Sequence, residues 1–176
     1  KVLPSLIEGL VVEKGIVYGG SGKGLCAIDV KSGNEIWRNK DWNQNQGSTA
    51  TMSLDNGVLI SSSHWGALYG NDAATGKKLW SMEKNGIRHR SSSAVMQGNV
   101  FYLASDESLF LMETKTGRIL MQKKLPFSVN VASSPLVTDK ELIFGTASEG
   151  IVALDREAWT EKWRYRTGES LIYTAP

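Results

Sequence analysis

The chain has 176 residues, enough for one domain with a substantial core or for several small repeated units. Hydrophobic residues make up 41% and charged residues 22%, and a net charge of +2 gives no reason to expect nucleic acid or a membrane surface as partner. A single cysteine, Cys26 in the apolar run GLCAIDV, excludes an intramolecular disulfide and any CxxC metal or redox motif.

Four similar units follow one another along the chain. The first, residues 5–40, has a turn at Gly15, a loop at Gly20–Gly24 and then the phrase LCAIDVKSGNEIW, Leu25–Trp37. Its GGSGKG stretch lacks the Gly-x-x-x-x-Gly-Lys-Ser/Thr spacing of a phosphate loop and precedes a strand, so it reads as a hairpin loop. Cys26, inside the phrase, reads as a small core residue. The second unit, residues 47–83, repeats the order with a turn at Gly57, the loop SSHWGA and the phrase ALYGNDAATGKKLW, Ala67–Trp80.

The third unit, residues 91–124, shows the strand grammar most clearly. Ser92–Met96, Val100–Ala104, Leu109–Glu113 and Arg118–Lys123 are short apolar runs of alternating pattern. They are separated by Gln97-Gly98-Asn99, Ser105–Ser108 and Thr114–Gly117, which are hairpin and turn signals. The fourth unit, residues 132–166, has Lys140 at the turn, the loop ASEGI, Asp155 and Trp163. Trp159-Thr160 stands where the other copies have Ser-Gly or Thr-Gly. Residues 170–176, SLIYTAP, resemble VNVASSP at Val129–Pro135 and read as the start of a further unit.

Three landmarks keep one period. The acidic residues Asp29, Asp72, Glu113 and Asp155 are 43, 41 and 42 residues apart, and the turns at Gly15, Gly57, Gly98 and Lys140 are 42, 41 and 42 apart. Eight residues after each acid stands Trp37, Trp80, Met121 or Trp163. Four strands per unit of this length is the pattern of a β-propeller blade. The phrase builds each blade: glycine suits the turn between strands three and four, the acid accepts hydrogen bonds from that turn, and tryptophan presses on the next blade.

The pattern Ala27-x-Asp29-x-x-Ser32-Gly33-x-x-x-Trp37 resembles the tryptophan-docking repeat of pyrroloquinoline-quinone-like propellers. The second copy matches at Asp72, Thr75, Gly76 and Trp80, with Gly70 in place of alanine; the third keeps Thr116 and Gly117; the fourth keeps Ala153, Asp155 and Trp163. That family includes quinoprotein dehydrogenases, a lipoprotein of outer-membrane barrel assembly and propellers fused to enzymes or sensors. The Gly-His and Trp-Asp pairs of WD repeats are missing, and the diglycine that kelch repeats need in every blade occurs only at Gly19-Gly20. The resemblance implies an all-β propeller segment of about four four-stranded blades from a seven- or eight-bladed ring. It also implies an extracytoplasmic setting, periplasmic or associated with the outer membrane. A piece of a larger ring, or two copies completing an eight-bladed one, are both consistent with four units.

No cofactor is expected. Quinoprotein members of the family hold their quinone beside a vicinal disulfide and a calcium, and a chain with one cysteine lacks the vicinal pair. Two histidines without a third ligand do not suggest a metal site. The abundant serines form no nucleophile elbow or triad. The loops leading into first strands and those joining strands two and three share one propeller face. They carry Gln44, Gln46, His64, Trp65, Arg88, His89, Arg90 and Asn130, a candidate face for an anionic or peptidic partner. The expected role is a non-catalytic module binding a protein or peptide. The alternatives are part of a quinone-dependent oxidoreductase, or the accessory propeller of a larger enzyme such as a hydrolase.

Overall fold

The computed structural model describes residues 10–21, 24–42, 52–62, 68–82, 95–105, 107–129 and 135–168. They form four sheets, each an antiparallel meander of four strands in sequence order. Blade one contains β1 (Val11–Glu13), β2 (Ile16–Ser21), β3 (Gly24–Asp29) and β4 (Glu35–Asn39). Blade two contains β5 (Ser53–Asp55), β6 (Val58–Ser62), β7 (Leu68–Asp72) and β8 (Lys78–Met82). Blade three contains β9 (Val95–Gln97), β10 (Val100–Ser105), β11 (Ser108–Glu113) and β12 (Ile119–Lys124). Blade four contains β13 (Leu136–Val137), β14 (Glu141–Gly145), β15 (Ile151–Asp155) and β16 (Glu161–Tyr165). The partial propeller read from the repeats is therefore the observed architecture. Strand limits differ slightly in the third unit, where Ser105 pairs with Ser108 and shortens the expected loop to two residues.

The inner strands β1, β5 and β9 lie against one another in succession. The central strands are apolar because neighbouring blades cover one another, and blades two and three are covered on both sides. Tyr18, Leu25 and Ala27 of blade one thus join Leu59, Tyr69 and Ala73 of blade two in one buried cluster, with Trp37 packed against it. Val58, Ile60 and Leu68 of blade two meet Phe101, Leu103, Phe110 and Met112 of blade three. Tyr102, Ala104 and Leu109 of blade three meet Leu142, Phe144, Val152, Leu154 and Trp159 of blade four, joined by Leu125, Phe127 and Val129 from the connecting segment. The hydrophobic core lies between blades, not within them, as expected of a repeat architecture stabilised by nearest-neighbour interfaces.

One turn design closes strands three and four in every blade. The pairing shifts register between Ala27/Ile28, Gly70/Asn71, Leu111/Met112 and Ala153/Leu154, a bulge at one repeat position. The N–H four residues after the acid then donates to the acid's own carbonyl: Gly33 to Asp29, Gly76 to Asp72, Gly117 to Glu113 and Trp159 to Asp155. This fourth position sits at φ 67°, 73°, 69° and 54° respectively. Such values favour glycine, because a Cβ crowds the left-handed region. The fourth blade has not escaped the requirement by losing its glycine; Trp159 itself adopts the conformation.

Candidate functional site

The described chemistry is concentrated at these turns and at the joints they make. Asp29 Oδ1 accepts from the Ser32 N–H and the Ser32 hydroxyl, each at 2.7 Å. Asp72 Oδ1 accepts the same pair from Thr75 at 2.8 and 2.7 Å. Asp155 Oδ1 takes the backbone N–H groups of Glu157 and Ala158 at 3.0 and 2.9 Å. Glu113, one methylene longer, accepts from the Thr116 hydroxyl and pairs with Arg118 at 3.7 Å. The Ser32 hydroxyl and N–H hold the Asp29 carboxyl below its ordinary range, and the Ala158 and Glu157 N–H groups do the same for Asp155.

The tryptophans act across blades. The Trp37 indole N–H donates to the Ala73 carbonyl at 3.0 Å, and the Trp80 indole N–H to the Thr114 carbonyl at 2.9 Å. Each ring covers the glycine of the next blade's turn. A Cβ on Gly76 would come within 2.4 Å of the Trp37 ring, and one on Gly117 within 2.6 Å of the Trp80 ring. Gly70, opposite Trp80 on the neighbouring strand, is needed for a similar reason: a Cβ there would meet the indole at 2.2 Å. Trp80 also stacks on Phe101, with ring centroids 6.1 Å apart and planes 3° from parallel.

The third joint reverses the roles. Met121 stands at the tryptophan position of blade three and is partly exposed, whereas Trp159 fills the turn position of blade four and is buried in the joint. The Lys123 ammonium donates to the Trp159 carbonyl, as the Asn39 amide donates to the Gly76 carbonyl at 2.8 Å in the first joint.

All the repeat residues read from the sequence are thus placed: Asp29, Asp72, Glu113 and Asp155 in turns, Gly33, Gly76 and Gly117 at the left-handed position, and Trp37 and Trp80 on the next blade. Trp163 is different. It is 40% exposed on the outer face of blade four, with no described blade beyond it. The candidate partner residues Gln44, Gln46, His64, Trp65, Arg88, His89, Arg90 and Asn130 lie outside the described residues. The described flanks of their loops are well anchored. Trp42, which precedes the first of these loops, is buried, donates its indole N–H to the Ser61 hydroxyl at 3.1 Å and packs on Tyr69. Beside the last of them, Val129 bridges to Thr146, and the Ala147 N–H reaches the Ser128 carbonyl at 3.0 Å.

The sequence did not single out a groove between blades one and two, about 710 Å³ in volume. It is lined by Arg38, Asn39, Lys40, Asp41, Thr75, Gly76, Lys77 and Lys78. Arg38 is held there by Glu35, with its Nε–H at 3.0 Å from the carboxylate, which raises the guanidinium pKa further. The four cations are visible in the sequence, but blade stacking alone brings residues 38–41 and 75–78 to one groove. Among the described residues no three His, Cys, Asp or Glu side chains converge in a group that could hold a metal ion. Nor is any described helix long and apolar enough to cross a membrane. Cys26 is buried in β3 with its thiol directed at the Gly19 carbonyl, 3.4 Å away, and burial raises its pKa.

Comparison with known proteins places this geometry in a family. A family model described as outer membrane protein assembly factor BamB matches residues 5–82 and again 66–172. The dehydrogenase subunit of a quinone alcohol dehydrogenase from Gluconobacter oxydans is 26% identical over 152 residues, covering 72% of this chain and 20% of the relative. A tetrathionate hydrolase from Acidithiobacillus ferrooxidans is 25% identical over 134 residues, covering 75% of this chain and 25% of the relative. The chain therefore spans only a fifth to a quarter of these relatives' length. The crystal structure of BamB from Moraxella catarrhalis superposes with a TM-score of 0.70 at 19% identity, over 94% of this chain and 49% of that one, a likeness of fold. The four blades, their turns and their tryptophan joints are those of a pyrroloquinoline-quinone-like propeller, and the chain belongs to the repeat family whose model is described as outer membrane protein assembly factor BamB.

Proposed function

We propose that this chain is a non-catalytic propeller module that binds a protein or peptide partner outside the cytoplasm, in the manner that the family description, outer membrane protein assembly factor, suggests. The observation that carries the reading is that the patterned residues are consumed by structure. The acids are engaged in turns, Trp37 and Trp80 in joints, and Cys26 in a sheet. What remains for recognition is the set His64, Trp65, Arg88, His89 and Arg90, which the sequence alone assigns to a loop face, and the basic groove at Lys40, Lys77 and Lys78 beside the first joint. Rigid blades presenting polar loops suit protein recognition, where Trp and Arg supply area and bidentate contacts.

The quinone that the wider family implies does not fit the residues present. A chain with one cysteine, itself buried in a strand, cannot form a vicinal disulfide over a quinone. The second reading, a segment of a quinone-dependent dehydrogenase, is favoured by the Gluconobacter relative.

One pair of measurements separates the two. Binding to a purified outer-membrane assembly partner is measured by calorimetry for the wild type and for Arg88→Ala/Arg90→Ala and Trp65→Ala. The expected result is a loss of about tenfold or more in affinity with an unchanged thermal midpoint. Titration of pyrroloquinoline quinone with calcium, followed by absorbance after desalting, is expected to leave no bound chromophore. Stoichiometric retention of the quinone would move the assignment to the dehydrogenase reading.

A further inference from the structure

The groove between blades one and two carries a charge that the repeat does not require. Arg38 lies in β4 and Lys40 just beyond it, while Lys77 and Lys78 come from the turn and outer strand of blade two. At the second joint the corresponding residues are Ser81, Glu83, Arg118 and Ile119; at the third they are Gln122, Lys124, Thr160 and Glu161. Each of those sets has one cation and one acid, whereas the first has four cations. The turns close in the same way at all three joints, so folding does not account for the accumulation at the first.

The neutral polar groups of the groove are already committed. The Asn39 amide donates to the Gly76 carbonyl at 2.8 Å, Asn39 Oδ1 accepts the Asp41 N–H at 2.8 Å, and the Thr75 hydroxyl donates to Asp72 Oδ1 at 2.7 Å. Glu35 accepts from Nε and Nη2 of Arg38, whose Nη1 is buried with no acceptor among the described residues. Lys77 and Lys78 are exposed and make no ion pair among the described residues. The groove therefore offers a ligand positive charge, opposed among its lining side chains by Asp41.

We propose that this groove binds an acidic, extended peptide segment of the protein partner. The proposal rests on the partner-binding reading above and gives it a ligand chemistry and a place. A volume of about 710 Å³ suits a short segment. Asn39 closes β4 and Lys78 opens β8, the edge strands of their sheets, so an extended chain would run along a strand edge while its carboxylates meet the lysines. Other anions fit less well. No lining residue is aromatic, so nucleic-acid bases have nothing to stack on, and none is apolar, so a lipid surface finds no inserting group. A net charge of +2 spreads no wide field to hold a long polyanion.

The test is fluorescence anisotropy of a short labelled peptide of alternating Glu and Ser, titrated with the full chain at low and physiological salt. The wild type is expected to bind saturably, more weakly as salt rises, and to ignore the same peptide with Gln for Glu. Lys77→Glu/Lys78→Glu is expected to weaken binding at least about tenfold with an unchanged thermal midpoint, and the neutral Lys77→Ser/Lys78→Ser to fall between. Lys31→Glu/Lys115→Glu makes the same change in net charge at exposed turns of blades one and three, and is expected to leave affinity within about twofold. Absence of saturable binding, an equal loss in the Lys31/Lys115 pair, or equally strong competition by inorganic phosphate, an oligonucleotide or phosphatidylglycerol vesicles would each overturn the proposal. The two readings fail separately. If Arg88→Ala/Arg90→Ala weakens binding of the purified assembly partner and Lys77→Glu/Lys78→Glu does not, the groove is excluded and the partner-binding reading stands. If the peptide binds at the groove and the purified partner does not bind at all, the groove stands and that reading falls.

Discussion

The smallest unit of this molecule that carries energy is a carboxylate over a turn. Asp29 and Asp155 accept two hydrogen bonds each, which favours their ionised form and lowers both pKa values. Their contribution to stability is complete above the unfolded carboxylate pKa of about 3.9 and disappears as pH falls through the lower folded values. The thermal midpoint of the wild type should therefore drop between about pH 5 and pH 2, and Asp29→Asn/Asp155→Asn should show a shallower drop. Circular dichroism melts across that range check it. Glycine separates two costs at this scale. Gly15 has φ 77° with nothing near its Cβ position, so Gly15→Ala should lose only the left-handed penalty, about 1–2 kcal/mol. Gly76 has φ 73° and the Trp37 ring in contact, so Gly76→Ala should lose clearly more, a difference that urea unfolding measures.

At the scale of the element, the joint is a matched pair of one large and one small residue, and the pair can be written in either order. Trp37 over Gly76 and Trp80 over Gly117 place the large residue on the fourth strand; in the third joint the large buried residue is Trp159, in the turn, and the fourth strand carries the exposed Met121. Met121→Trp alone should overfill the third joint, and Trp159→Gly alone should leave a cavity costing about 3 kcal/mol or more. The double variant recreates the arrangement of the first two joints. It should be more stable than the sum of the single changes predicts, with a coupling of about 1–3 kcal/mol in a double-mutant cycle by chemical denaturation. Additive losses would mean that the two positions do not share the space argued here.

At the scale of the whole molecule, stability is distributed along a row of similar interfaces. The first and third joints belong to separate buried clusters, one around Trp37 and Tyr69, the other around Trp159 and Phe144. Trp37→Ala and Trp159→Ala should then destabilise independently, adding to within about 0.5 kcal/mol in equilibrium unfolding. The same logic makes the ends consequential. Interior blades are covered twice, whereas blades one and four each turn an apolar face outward, with Val12, Ile36, Trp163 and Tyr165 exposed.

The sequence by itself determined the repeat, the four strands of each blade, the turn between the third and fourth strands and the acid that serves it. All of these follow from local backbone chemistry: alternation sets the strands, a left-handed position selects glycine, and a short acid three residues before a hydroxyl makes its own hydrogen bonds. It also announced that Trp37 and Trp80 would press on a neighbour, because the same residue recurred on the same strand. What it left open depends on residues about 40 positions apart meeting in space. The loss of the fourth glycine to Trp159 was visible in the sequence, yet only tertiary structure shows Trp159 holding the left-handed turn and buried between blades three and four. The sequence did not single out the cations Arg38, Lys40, Lys77 and Lys78, which stacking gathers along one groove. The partner face expected from the sequence, from Gln44 to Asn130, lies outside the described residues. A strand pattern says which side chains share a face; only the stacking of blades decides what that face meets.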